Sequence, residues 1–280
     1  MGQAPQELLR RHGLRAYKAL GQHFLTRTDV AQRQVDYAWV NKDDIVLEVG
    51  PGLGTLTRII AATGCKIIAV EKDRTMARIL QDEIGPASPK LQIIEGDVLE
   101  MDLPALGFNK IVSNIPYNIS SELTLALVKC RFDVAVIMFQ HEFAQRLTAE
   151  PGTKAYSRLT VGVRMRADVE MLETVPATAF HPRPKVDSAL VRLRPTDRIG
   201  SVKDPVFFDK VVEALFSQRR KKLKNTLSTW GIRLFGTRHK MDLSGVPYGD
   251  RRPEELSLDQ MMELVEELHD LRTKLSQKGP

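Results

Sequence analysis

The chain has 280 residues, 42% of them apolar and 27% charged. At about 100–200 residues per domain it holds one large domain, or a large one and a small one, with enough material for a core that needs no staples. Its two cysteines, Cys65 and Cys130, form no C-x-x-C or Cys/His spacing, which excludes a disulfide scaffold, argues against a metal site and fits a reducing compartment. Lysine and arginine outnumber the acids by 41 to 35, a net charge of +6, so where the excess sits matters more than its size.

Residues 1–30 form a basic arm carrying Arg10, Arg11, Arg15, Lys18 and Arg27. Met1–Gln6 lack the apolar stretch of a signal peptide, and no run approaches the ~18 apolar residues of a spanning helix. A soluble, cytoplasmic protein with no membrane partner is expected. From Asp44 the pattern alternates. Strands are predicted over Ile45–Val49, Lys66–Val70, Leu91–Ile94, Lys110–Ser113 and Val134–Phe139, each a continuous apolar run suited to a strand buried on both faces. Helix-length segments Leu56–Ala62, Thr75–Ile84 and Ser120–Lys129 lie between them. Strand, helix, strand in repetition predicts a doubly wound α/β sheet. Glu170–Thr174 and Ser188–Leu193 read as two further strands. The second is half polar, as an antiparallel strand near an edge would be. After a polar linker at Pro195–Pro205, the apolar spacing of Val212, Phe216, Leu223, Leu227 and Trp230, followed by an amphipathic stretch at Leu258–Leu275, predicts a small helical domain. The expected organisation is an arm over 1–30, a catalytic domain over 31–197 and a helical domain over 198–280.

Three features of the sheet segment carry chemistry. The first strand runs into Gly50-Pro51-Gly52-Leu53-Gly54 and then a helix; such a loop lets backbone N–H groups approach a ligand closely. Its spacing is neither the dinucleotide fingerprint nor a phosphate-binding P-loop. Glu71 ends the second strand, where an acid can bind ribose hydroxyls, and Asp97 follows the third, where a carboxylate can accept an adenine amino group. Loop, ribose acid and adenine acid in this order describe S-adenosyl-L-methionine better than a dinucleotide. The fourth strand ends in Asn114-Ile115-Pro116-Tyr117. The proline stops the ladder and keeps Ile115 extended, leaving its carbonyl beside the Asn114 side chain with an aromatic ring next to both.

The chain resembles the small-subunit ribosomal RNA adenine dimethyltransferase family, class I S-adenosylmethionine-dependent methyltransferases that dimethylate two adjacent adenosines near the 3′ end of small-subunit rRNA. The resemblance runs almost end to end, through Gly21-Gln22-His23-Phe24-Leu25, Glu48-Val49-Gly50-Pro51-Gly52, Asn114-Ile115-Pro116-Tyr117-Asn118-Ile119-Ser120, Lys154-Ala155-Tyr156-Ser157-Arg158-Leu159, Phe180-His181-Pro182-Arg183-Pro184-Lys185-Val186-Asp187-Ser188 and Phe216-Ser217-Gln218-Arg219-Arg220-Lys221. It implies a mostly parallel seven-stranded methyltransferase sheet with one antiparallel strand. It also implies cofactor contacts from His23, Leu25, Gly50, Gly52, Glu71, Asp97 and Asn114, with His23 standing where the family usually has Asn. In the catalytic reading, Asn114 Oδ1 and the Ile115 carbonyl hold the exocyclic amine, Pro116 shapes the turn, and Tyr117 and Phe180 cover the flipped base.

Between Ala214 and Met241 stand eight cations and no acid: Arg219, Arg220, Lys221, Lys222, Lys224, Arg233, Arg238 and Lys240. An uncompensated excess of that kind is expected to lie against a polyanion. Arg219, Arg220, Lys221, Lys222 and Lys224 are therefore the expected RNA contacts, joined by the N-terminal arm on the other side of the pocket. The expected partner is small-subunit rRNA or a precursor particle, met by a monomer that also serves ribosome assembly. A non-catalytic assembly factor and an adenine methyltransferase of large-subunit rRNA or DNA are the alternatives.

Overall fold

The protein was analysed as a computed structural model, which describes residues 5–13, 23–236, 243 and 245–277. Arg15, Lys18, Gly21, Gln22, Arg238 and Lys240 lie outside the described residues. In chain order the elements are α1 (Pro5–Arg11), β1 (Phe24–Leu25), α2 (Thr28–Tyr37), β2 (Ile45–Val49), α3 (Thr55–Ala62), β3 (Lys66–Glu71), α4 (Arg74–Glu83), β4 (Leu91–Glu95), β5 (Lys110–Asn114), α5 (Ser120–Leu127), β6 (Val134–Gln140), α6 (His141–Leu147), α7 (Arg158–Arg164), β7 (Ala167–Val175), β8 (Phe180–His181), β9 (Ser188–Pro195), α8 (Pro205–Ser217), α9 (Leu223–Phe235) and α10 (Leu258–Gln277). They gather into two compact units, 1–145 with 168–195 and 146–167 with 196–280.

The first unit is built on a seven-stranded sheet of order β4-β3-β2-β5-β6-β9-β7. β2 pairs in parallel with both β3 and β5, β3 with β4 and β5 with β6, while β9 runs antiparallel to β6. The chain therefore works outward from β2 to one edge and returns to start again at β5. That reversal is the topological switch point at which α/β sheets bind ligands. The apolar runs of β2, β3, β5 and β6 are buried as expected, and Val46, Ile67, Val112 and Val136 join Val35, Ile60 and Leu80 from the helices in one core. β4 departs from the expectation: it is an edge strand whose residues are half-buried or exposed, because an edge strand has a neighbour on one side only. β9 lies one strand in from the other edge, which is formed by β7. A separate two-stranded sheet pairs β1 with β8, placing Phe24 opposite His181 and Leu25 opposite Phe180.

In the second unit α7, α8, α9 and α10 share a core that includes Phe207, Phe208, Leu215, Leu223, Leu227, Leu264 and Leu268. The sequence leads one to expect a continuous catalytic domain over 31–197, yet 146–167 clusters with the helices. The physical reason is burial: Tyr156 is fully buried and shares the helical core with Val161 and Met165. Such a segment leaves one unit and re-enters it, and apolar periodicity along the chain carries no mark of that excursion.

The glycine loop joins β2 to α3. Gly54, the residue before α3, has φ +78°, and a Cβ there would come within 2.2 Å of Ile84 Cδ1 and 2.8 Å of Leu80 Cδ1. The positive φ favours glycine, and a Cβ would also force the ends of the Ile84 and Leu80 side chains to shift. Gly54→Ala is expected to destabilise the protein by about 1–3 kcal/mol; a thermal midpoint equal to the wild type's would refute this packing account.

Candidate active site

A cavity of about 740 Å³ opens at the switch point, within the size range of cofactor sites. Its walls come from the glycine loop, the ends of β3 and β4, the segment after β5, and the β1–β8 pair. All the catalytic and cofactor-binding positions expected from sequence line it: His23, Leu25, Gly50, Gly52, Glu71, Asp97, Asn114, Ile115, Pro116, Tyr117 and Phe180.

The local contacts explain how they meet. β1 carries Leu25 to its ladder partner Phe180, and the Thr55 hydroxyl donates to the Leu25 carbonyl at 2.8 Å, tying this short sheet to the first turn of α3. Pro116 packs against the glycine loop, for a Cβ on Gly50 would sit 3.2 Å from Pro116 Cδ. Asn114 Oδ1 is buried and accepts no hydrogen bond from the described residues. The Tyr117 hydroxyl shares a hydrogen bond of 2.8 Å with buried Ser188 Oγ, and burial pushes its pKa up. The imidazole of His23 lies 6.2 Å from the Tyr117 ring, roughly parallel to it. Its Nδ1 lies 2.7 Å from the Pro182 carbonyl. A carbonyl can only accept, so Nδ1 is the donor in this contact.

Glu71 is buried, which pushes its carboxyl pKa up, while N–H groups from Asp73 (2.9 Å) and Gly52 (3.1 Å) oppose that shift. Each Glu71 oxygen thus holds one backbone donor and keeps a lone pair for a ligand hydroxyl. Asp97 Oδ1 accepts from Leu99 N–H at 3.0 Å, and Lys72 Nζ stands 2.6 Å from Oδ2. The lysine hydrogen bond holds the Asp97 carboxyl below its usual range. A ligand amine reaching Asp97 has to share Oδ2 with that ammonium.

The family model described as "Ribosomal RNA adenine dimethylase" matches residues 13–270. The chain belongs to the ribosomal RNA adenine dimethylase family. A Methanopyrus kandleri protein named "Probable ribosomal RNA small subunit methyltransferase A" is 47% identical over 218 residues, covering 78% of each chain. A Pyrococcus abyssi protein of the same name is 41% identical over 270 residues, covering 95% of this chain and 96% of the relative. Among solved structures, a dimethyladenosine transferase from Plasmodium falciparum superposes with a TM-score of 0.76 at 27% identity, over 89% of this chain and 98% of that one. The 23S rRNA methyltransferase ErmE does so with 0.61, also at 27% identity, over 88% and 99%.

Members of the ribosomal RNA adenine dimethylase family are rRNA methyltransferases that use S-adenosyl-L-methionine, and the charges in this cavity fit that cofactor. Four carboxyl groups line it, Glu48, Glu71, Asp73 and Asp97, with Lys72 as the one lysine. Burial pushes the Glu48 carboxyl up to about 8 and keeps it uncharged near neutral pH. The negative wall is therefore Glu71, Asp73 and Asp97, which repel the pyrophosphate of a dinucleotide and attract a ligand bearing a sulfonium and an ammonium. The orphaned Asn114 Oδ1 is also an acceptor without a donor among the described residues, as expected where a ligand supplies the missing N–H group.

Glu48 is a cavity residue to which sequence reasoning gave no role. It is 1% exposed, and burial pushes its carboxyl up to about 8, with nearby Glu71 adding to the rise. The available signal was an acid inside an otherwise apolar strand, Ile45–Val49. Ser188 and Lys72 were also passed over; both act through contacts made by distant parts of the chain.

The basic segment of the helical unit requires a correction. The sequence reading took its charges as uncompensated because no acid lies nearby along the chain. In the structure Glu254 Oε2 stands 2.6 Å from Arg219 Nη2, and the Arg219 guanidinium also donates to the Lys154 carbonyl at 3.1 Å. Asp250 Oδ1 stands 3.0 Å from Lys222 Nζ and 2.8 Å from Lys224 Nζ. Arg220 and Lys221 are exposed and have no ion-pair partner among the described residues. In the N-terminal arm, Arg11 pairs with Glu83 at 2.7 Å and Arg27 with Asp29 at 2.7 Å, so those two are compensated as well.

Burial of Glu48 also sets a dependence on pH. Its carboxyl rises in the fold from 4.5 to about 8, so the folded state binds this proton more tightly than the unfolded chain does. The associated stability is fully present below pH ~4.5 and is lost as pH rises towards 8. Glu48→Gln, which cannot ionise, is expected to gain on the wild type with rising pH, by about 4 kcal/mol at pH 8, with little difference at pH 4. Denaturant unfolding at both values measures this, and a pH-independent difference would refute it.

Proposed function

We propose that this enzyme dimethylates the exocyclic amino groups of two adjacent adenosines near the 3′ end of small-subunit rRNA. The observation that carries the reading is the buried Oδ1 of Asn114, which accepts no hydrogen bond from the described residues and belongs to a residue lining the cavity next to Ile115. The nitrogen to be methylated is a weak nucleophile because its lone pair is delocalised into the adenine ring. Two acceptors aimed at its N–H groups favour a pyramidal nitrogen and turn the lone pair towards the cofactor side of the cavity. S-adenosyl-L-methionine supplies an electrophilic methyl group. Once methylated, the nitrogen is a strong acid and gives its proton to water, so the tetrad needs no base.

Tyr117, held at its hydroxyl by Ser188, and Phe180, held in the β1–β8 ladder, are assigned to the two faces of the extruded base. Glu71 is assigned to the ribose and Asp97 to the adenine of the cofactor, with His23, Leu25, Gly50 and Gly52 around its methionine end. The small-subunit assignment draws support from the names of the relatives at 47% and 41% identity. We further assign the enzyme to the cytoplasm, as a monomer acting on a small-subunit precursor and assisting its assembly.

The test is transfer of labelled methyl groups to small-subunit particles, large-subunit particles and DNA, followed by mass spectrometry of the adenosines. Dimethyladenosine in the small-subunit RNA alone is expected. Label in the large subunit instead would favour the ErmE-like activity, and cofactor binding without any label would leave a non-catalytic assembly factor. Asn114→Ala is expected to lower turnover at least a hundredfold, on the order of 3 kcal/mol of transition-state stabilisation; near-normal turnover would remove the proposed mechanism.

For the RNA interface, Arg220 and Lys221 are assigned direct phosphate contacts, and Lys222 and Lys224 exchange Asp250 for phosphate on binding. Arg219, clamped to Glu254 and Lys154, is assigned to the architecture of the unit. The double change Arg220→Glu with Lys221→Glu is expected to weaken RNA binding tenfold or more and to flatten the plot of log affinity against log salt by about 1–2. Arg219→Ala should instead lower the thermal midpoint. Unchanged affinity and salt slope in the double variant would refute the assignment.

A further inference from the structure

The central gap in the sheet has its own support. β2 and β3 pair along their whole length, up to Val49 opposite Val70, and β5 and β6 pair up to Asn114 opposite Met138. Between β2 and β5 the register covers only Val46 with Lys110 and Leu47 with Ile111. Beyond that point the two strands make no further ladder pairs; β2 runs into the glycine loop and β5 into the Asn114 tetrad, and Pro116 of the tetrad lies against Gly50 of the loop. One side chain bridges the two strands there. Ser113 Oγ accepts the Val49 N–H at 3.1 Å and donates to the Val49 carbonyl at 2.8 Å. A single hydroxyl thus takes over both hydrogen bonds that a continuing ladder would have given Val49.

The other side of Ser113 is held too. From α2, Gln34 Nε2 donates to the Ser113 carbonyl and to the Val136 carbonyl, at 3.1 Å each. Gln34 and Ser113 are both fully buried, so neither contact is open to exchange with bulk water. Ser113 immediately precedes Asn114, and Val49 immediately precedes Gly50. The bridge therefore joins the residue before the acceptor pair to the residue before the cofactor loop.

We propose that Ser113, backed by Gln34, is a positioning residue that sets the separation of the Asn114–Ile115 acceptors from the glycine loop, and with it the distance between the adenine nitrogen and the methyl group. This rests on the roles given above to Asn114 and Ile115. A side chain suits the task better than a longer ladder. Continued pairing would close the strands to the ordinary ~4.8 Å spacing and fill the crevice, whereas an unbridged gap would strand a buried N–H and C=O. The hydroxyl holds the gap open at one fixed width. Because misplacement by about 1 Å can cost a hundredfold in rate, loss of the bridge bears on turnover more than on binding.

The experiment compares Ser113→Ala, Ser113→Thr and Gln34→Met with the wild type, measuring kcat, cofactor Kd by calorimetry, the thermal midpoint and the ratio of monomethyl- to dimethyladenosine. Ser113→Ala is expected to lower kcat by about ten- to a hundredfold, with cofactor Kd changed less than about threefold, and to accumulate the monomethylated product. The bulkier monomethylated amine has less latitude in a displaced pair of acceptors, so the second transfer suffers more. Ser113→Thr, which keeps the hydroxyl, should recover most of the rate, and Gln34→Met should reproduce the product shift more weakly, a reading that survives if Ser113→Ala fails to fold. Wild-type kcat and product ratio in Ser113→Ala, or equal losses of kcat, Kd and thermal midpoint that threonine does not rescue, would overturn the proposal. Asn114→Ala run in parallel separates the two ideas: normal turnover there refutes the acceptor reading itself, whereas an inactive Asn114→Ala beside a normal Ser113→Ala refutes only the positioning role.

Discussion

Hydrogen-bonded pairing between β2 and β5 stops short of the strand ends, and the crevice formed there is the feature on which the site depends. A buried backbone N–H and C=O cannot go unpaired without a cost comparable to a lost hydrogen bond, and past the last β2–β5 ladder pair Ser113 Oγ serves both groups of Val49. The glycine loop continues from β2, and Asn114 and Ile115 stand at the end of β5. Pro116 fills the space against Gly50, where a Cβ would lie 3.2 Å from its Cδ. The proline also blocks extension of the ladder, so that β5 ends at Asn114, opposite Met138, and Ile115 lies beyond the sheet.

The cavity and the basic loop use charge in opposite ways. Within the cavity, four carboxyl groups surround a volume suited to a ligand with cationic centres. Burial works against ionisation of two of them, Glu48 and Glu71, and for Glu48 it pushes the pKa up to about 8. Glu71, with two backbone N–H groups on its oxygens, has counterweights to the same burial. In the helical unit the cations lie on the surface, and part of their charge is already answered by Glu254 and Asp250. Exposed ion pairs are weak, about 0–1 kcal/mol, so Lys222 and Lys224 lose little on leaving Asp250 for a phosphate. Arg219 differs because it makes a multidentate contact to a carboxylate and a carbonyl together.

Residues far apart along the chain meet in the β1–β8 pair, which joins Phe24 and Leu25 to His181 and Phe180. Two residues per strand make a poor sheet by themselves. Further contacts support it: Thr26 donates from its backbone and its hydroxyl to the Ala179 carbonyl, and Thr55 reaches the Leu25 carbonyl. His23 then falls against Pro182 and Tyr117, and the orientation of its ring nitrogens follows from the carbonyl it meets.

Apolar runs in β2, β3, β5 and β6, the glycine loop and the Asn114–Tyr117 tetrad were legible in the sequence because each is written in adjacent residues whose geometry is local: period, φ preference, a proline after a strand. The same holds for the acids at the ends of β3 and β4, since strand ends can be counted. Tertiary structure alone decided that β4 is an edge, that 146–167 packs with the helices, that Arg219 has an internal partner, and that Ser113 and Gln34 bracket the crevice. Each of these depends on what a residue meets across space, and a hydrogen bond between Val49 and Ser113 leaves no period or composition for a linear reading to detect. Order along the chain determined the parts of the site, and long-range burial and pairing determined how far apart they stand.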